Sequence, residues 1–256
     1  MKTTLIATLL LAFCLTAHAQ QPEQGGQLSD DELLALDPVL KEAVTADGVN
    51  LSVFGKYARD DDHYRRLAER FEQNDDTLLS SDIYTLYYGY VWRDEYNGGY
   101  TINDWSALIA EQRYSEAYDM VREALKEAPA TPCYLETAFR LAVQLKRPEK
   151  EIRNIAWRLF KILHLIYSTG SGTGEEPWIV VNVADEYSLM RILLDVEQIK
   201  GQTVTTNEQG GKCDVIEVDP IDNAYFTGSE IWFDISFPFV MFNSPGHWAK
   251  QMSNIE

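Results

Sequence analysis

Glu149-Lys-Glu-Ile-Arg-Asn-Ile-Ala-Trp-Arg-Leu-Phe-Lys-Ile-Leu-His-Leu-Ile-Tyr167 is followed by Thr169-Gly-Ser-Gly-Thr-Gly-Glu-Glu-Pro177 and then by Trp178-Ile-Val-Val-Asn-Val183. In the first stretch Ile152, Ile155, Ala156, Leu159, Phe160, Leu163 and Ile166 recur with the helical period. They predict one broad apolar face, the width of a core helix. The glycines and the proline mark where it stops. The third stretch is β-branched and aromatic, as strands are. This change of period predicts an α+β fold: a helical, repeat-like N-terminal domain, then a small C-terminal domain with a mainly antiparallel sheet.

Working upstream, Tyr64, Leu67, Ala68 and Phe71 fall on one helical stripe, in a helix that starts near Asp60. Ser80 or Ser81 caps the next, with Ile83, Leu86, Tyr87, Tyr90 and Val91 inward, and Asn103 caps one carrying Trp105, Leu108 and Ile109. A short helix from Ser29 to Leu40 is interrupted by Pro38. Arg113 to Pro129 resembles the second helix of a tetratricopeptide repeat, with Tyr114 opening it, small Ala117 and Ala124 on one face, and Pro129 closing it. Shifting by the ~34 residues of such a repeat pairs Trp105 with Phe139, Ile109 with Val143, Val121 with Ile155 and Leu125 with Leu159. It also pairs Ala124 with Arg158, so a regular array does not follow. Pro132 to Leu145 completes the helical set.

Downstream, Thr203–Thr206, Cys213–Val218 and Glu230–Ser236 read as strands beside Trp178–Val183. Asp185 to Val196 reads as a helix capped by Asp185, and Gly210-Gly211 as a hairpin turn.

The N-terminus is of another kind. Lys2, the apolar run Leu5–Thr16 and the triplet Ala17-His18-Ala19 make a secretory signal peptide cleaved between Ala19 and Gln20. The run is shorter than the ~20 residues that span a membrane, and no later segment is apolar enough, so no transmembrane segment is expected. The expected location is periplasmic or secreted. The expected layout is a signal peptide (1–19), a disordered lead-in (20–29), a helical repeat-like domain (30–168), a Gly-rich linker (169–177) and a small α+β domain (178–256).

Forty acidic residues against 22 basic give a net charge of −18, which repels nucleic acid and excludes it as a partner. Cys133 and Cys213 fall in different halves, and a disulfide or two buried thiols explain them equally well. The loop Gly170–Gly174 follows a helix and precedes a strand, the reverse of a phosphate cradle. His63, His164 and His247 lack the pairing of zinc helices. Asp185, Glu186, Glu175 and Glu176 offer carboxylate pairs, but an N-cap explains Asp185 more simply. No catalytic residue, metal site or cofactor is assigned, and the reading leans away from an enzyme. Arg140, Lys146, Arg147, Lys150, Arg153, Arg158 and Lys161 crowd one stretch, read as a solvated helix face or as a dock for an acidic surface.

The remaining candidate is aromatic. Tyr84, Tyr88 and Trp92 recur every four residues beside the inner face of their helix. Such a stripe is either sandwiched between neighbouring helices or a partly exposed platform that binds ligand.

Tyr87-Tyr-Gly-Tyr90, Tyr114-Ser-Glu-Ala-Tyr118, Gly172-Thr-Gly-Glu-Glu-Pro177, Asp185-Glu-Tyr187 and Ile231-Trp-Phe-Asp-Ile-Ser236, in that order, resemble a family of secreted Bacteroidetes proteins catalogued as a domain of unknown function. The resemblance spans roughly Leu51 to the C-terminus. It implies a helical, partly tetratricopeptide-like first half joined to a β-containing second half in the envelope, and carries over no activity. The function expected is a scaffold or binding module for a protein or peptide partner in the envelope. The alternative is a carbohydrate-binding or glycan-processing protein using Tyr84, Tyr88 and Trp92.

Overall fold

Apolar faces repeating at helical spacing turn the first part of the chain into a set of helices packed on one another. The computed structural model describes residues 37–45, 48–96, 105–208 and 210–243. The expected signal peptide, the lead-in, the Ser29 and Asn103 caps and His247 lie outside the described residues. Pro38 stands in the first turn of helix α1 (Pro38–Ala43), where a missing N–H costs nothing, and Asp37 caps it; the earlier part of the helix expected from Ser29 lies outside the described residues. A short ladder follows, β1 (Val44–Thr45) against β2 (Gly48–Val49). Then come α2 (Ser52–Ala58), α3 (Asp61–Glu72), α4 (Ser80–Tyr87), a 3-10 turn (Gly89–Trp92), α5 (Trp105–Ala110), α6 (Tyr114–Glu127), α7 (Pro132–Gln144) and α8 (Glu149–Tyr167). Asp60 caps α3 by accepting from the His63 amide at 2.9 Å. From α5 to α8 each helix packs on the next, as short connections dictate.

The second part holds β3 (Trp178–Ile179), α9 (Val183–Ile192), β4 (Ile199–Thr206), β5 (Lys212–Asp222), β6 (Thr227–Asp234) and α10 (Ser236–Asn243). The sheet order is β3-β6-β5-β4. The pairs β4–β5 and β5–β6 are antiparallel, and β3 lies parallel to β6. The β5–β6 register shifts between Glu217 and Ile221, around Pro220, which has no N–H to give the ladder. At the β4–β5 turn Gly210 takes φ +86°, and the Asn207 carbonyl and side chain bracket it.

The strand expected over 178–183 is only two residues long. Val181 donates its N–H to the Tyr87 hydroxyl and its carbonyl accepts from the Tyr96 hydroxyl, so the chain leaves the sheet there. Asn182 stands at the N-cap of α9, and Asp185 lies inside its first turn rather than at its cap. One continuous core runs from Ala58 in α2 to Ile235 at the end of β6, taking buried residues from both parts. The Gly-rich segment is pinned within this frame. Ser171 and Gly172 both donate to the Glu176 carbonyl at 2.9 Å, Trp178 Nε1 donates to the Gly170 carbonyl, and Trp232 N to that of Gly172.

Candidate functional site

Tyr84, Tyr88 and Trp92 do not share one helix face, because α4 ends at Tyr87 and the chain tightens into the 3-10 turn. Tyr88 is fully buried and its hydroxyl donates to the Ile179 carbonyl at 2.9 Å. Trp92 is 8% exposed, set over Gly55 and edge-on to Phe237. Tyr84 is half-buried and stacks on Phe54 with ring centres 4.9 Å apart. Neither Tyr88 nor Trp92 presents a free ring to a ligand. Tyr87, Tyr88 and Tyr96 instead reach across with their hydroxyls and hold the stretch from Ile179 to Asp185.

The acidic candidates are buried in the same region. Asp185 accepts from the Tyr87 hydroxyl, from Asn182 Nδ2 and from the Cys133 amide. Burial outweighs these three donors and pushes its carboxyl up to about 6. Glu186 packs against Asp214 of β5, and burial with that neighbour drives it well above the usual carboxylate range. Neither Glu186 oxygen meets a donor among the described residues. Glu136 of α7 is the contrast: burial alone would raise it, but Arg191, Ser188 and Arg140 hold it below its ordinary value. Its partners Ser188 and Arg191 sit on α9, so these polar contacts join the two parts. Cys133 and Cys213 are free thiols. Asp185 and Glu186 are fully buried and Asp214 nearly so, which keeps their carboxyls from the hydrogen-bond reach of a substrate that acid–base work requires.

An open cleft of about 540 Å³ lies between α3, the segment after the 3-10 turn, α6 and α8. Helical periodicity puts Tyr64, Ala68 and Leu125 on its apolar floor, and the chain turning out of α6 adds Pro129. Arg93 forms one wall: it lies over the Tyr64 ring at 4.3 Å and pairs with Asp61 and Glu95. Arg65 pairs with Asp62, Lys126 with Glu123, and Arg122 with Glu72 at 2.6 Å. Arg158 behaves differently. It is 4% exposed, and it makes no ion pair among the described residues. Its Nε reaches only the Asn154 carbonyl of its own helix, at 3.4 Å. Burial pulls its guanidinium down to about 10, still cationic at neutral pH. With Glu72 and Arg122 it also lines a second cleft of about 270 Å³.

A cleft of about 460 Å³ between α5, α7 and α9 is lined by Trp105, Ile109, Tyr187, Arg140 and Arg191, but both arginines are committed to Glu136. The basic stretch Arg140–Lys161 is expected as a solvated helix face or a dock for an acidic surface, and buried Arg158 departs from the solvated reading. The signal that marks it is the repeat register, which puts Arg158 where Ala124 stands.

Residues 57–240 match a family described as Domain of unknown function (DUF4919). No curated protein and no solved structure matches the chain.

Proposed function

Since the chain belongs to the DUF4919 family, whose description assigns no chemistry, we propose from the cleft alone that it is a binding module for a protein or peptide partner in the cell envelope. The observation that carries this reading is the open cleft between α3, α6 and α8. Its apolar floor of Tyr64, Ala68, Leu125 and Pro129 is rimmed by charged side chains. Such a site buries a short apolar segment while polar groups at the rim set its orientation. Export rests on Lys2, the run Leu5–Thr16 and the Ala17-His18-Ala19 triplet. Among the described residues no helix is long and apolar enough to cross a membrane.

The test is site-specific photocrosslinking in native envelopes, with the photoreactive residue at Arg65 or Lys126 on the cleft rim. Lys200 on β4 serves as the control position. The same partner captured from both rim positions and absent from the control supports the reading. Capture equal at all three positions, or at none, sinks it. Deleting the helical half is no substitute for this control, because the two parts share a core.

A further inference from the structure

We infer that the cleft holds a carboxylate subsite built on Arg158, and that the ligand's carboxylate is the missing partner of that guanidinium. This rests on reading the cleft as the binding surface.

A guanidinium held mostly out of water, with no counter-charge beside it and only its tip open to a cleft, is an unfavourable arrangement in a fold. Arg158 is in that position within a chain whose acidic residues outnumber its basic ones by almost two to one. Carboxylates were available to it: Glu72 lies close enough to be felt, yet it is bonded to Arg122. Tyr118, which also faces this cluster, gives its hydroxyl to Glu151 at 2.6 Å. Glu72 and Glu151 are therefore both engaged elsewhere, while Arg158 lines both clefts. The planar fork of arginine matches a carboxylate through two parallel hydrogen bonds, which lysine does not reproduce. The lining carries as many acidic as basic side chains, so it lacks the excess positive charge that a doubly charged phosphate calls for. The apolar floor next to Arg158 suits the hydrocarbon part of such an acid.

The experiment follows the side-chain Nε–Hε NMR signal of Arg158, assigned with the Arg158→Lys variant. The full chain without its signal peptide is titrated with acetyl-alanine, with acetyl-glutamate amide and with inorganic phosphate. We expect a saturable shift with a carboxylate probe. Acetyl-alanine acting alone marks a peptide C-terminus as the ligand, and acetyl-glutamate amide acting alone marks an acidic side chain. Thermal unfolding gives the second readout. Arg158→Met is expected to raise the melting temperature of the free protein and to abolish the rise that the carboxylate probe produces. A larger response to phosphate, no response to any probe, or a fall in melting temperature for Arg158→Met would each overturn the subsite. Specific crosslinking from the rim without a carboxylate response removes this inference and leaves the binding module standing. The reverse result removes the protein partner and leaves the subsite.

Discussion

At the scale of single residues, Tyr88 carries the sharpest consequence. Its ring is enclosed between Tyr84, Tyr87 and the β3 segment, and its hydroxyl satisfies a carbonyl of the other half. Tyr88→Ala should cost about 3–5 kcal/mol of unfolding free energy in urea titrations, as large-to-small core changes do. Tyr88→Phe should cost only about 1 kcal/mol, the worth of one hydrogen bond. A ring that served as an exposed platform would tolerate both. In the sequence Tyr88 lies on a stripe beside the inner helix face, either sandwiched or partly exposed, and a four-residue spacing cannot reveal that the helix stops at Tyr87. Arg158 was hidden for a similar reason. A charge on a basic helix reads as solvated, and only a packed neighbour on each side makes it otherwise.

At the scale of elements, α9 is held by charge as much as by packing. Glu136 on α7 receives Arg191 and Ser188 from α9 while Arg140 flanks it from its own helix. Glu136→Gln keeps the shape but leaves two guanidinium groups short of a counter-ion. It should lower stability by about 3–5 kcal/mol, measured by the urea midpoint at constant slope. A second cost would show in hydrogen exchange, where the amides of α9 should open sooner than those of β5. Long elements were legible: α3, α6, α7 and α8 follow the apolar period, and β5 and β6 follow the alternation of the sequence. The β3 region was not. Trp178–Val183 has the composition of a strand, but the tyrosine hydroxyls of α4 and the loop after it claim Val181 and Ile179. No local pattern encodes that competition.

At the scale of the whole molecule, the buried acids set the response to pH. Asp185 titrates near 6 when folded and near 3.8 when unfolded. A folded value raised in this way gives stability that is complete below the unfolded value and lost as pH rises through the folded one. The loss for Asp185 is roughly 3 kcal/mol, by the free-energy equivalent of a pKa unit. Glu186 and Asp214 are shifted in the same direction. Glu136 is shifted the other way, so its contribution disappears as pH falls below its unfolded value. Unfolding midpoints in urea should therefore peak near pH 4 and decline from there toward pH 8, with the Asp185 share of the loss falling between about 4 and 6. Asp185→Asn should flatten the decline between 4 and 6. A midpoint that climbs steadily from 4 to 7 would contradict this assignment of burial.

The pinned segment 169–177 has one further consequence. Because core, tyrosine hydroxyls and the Glu136 cluster all cross between the halves, covalent continuity at this point adds little specificity to their meeting. A chain broken among residues 173–176 is two complementary fragments that retain the information to find each other. Their reunion is a bimolecular association whose completeness follows fragment concentration rather than temperature alone.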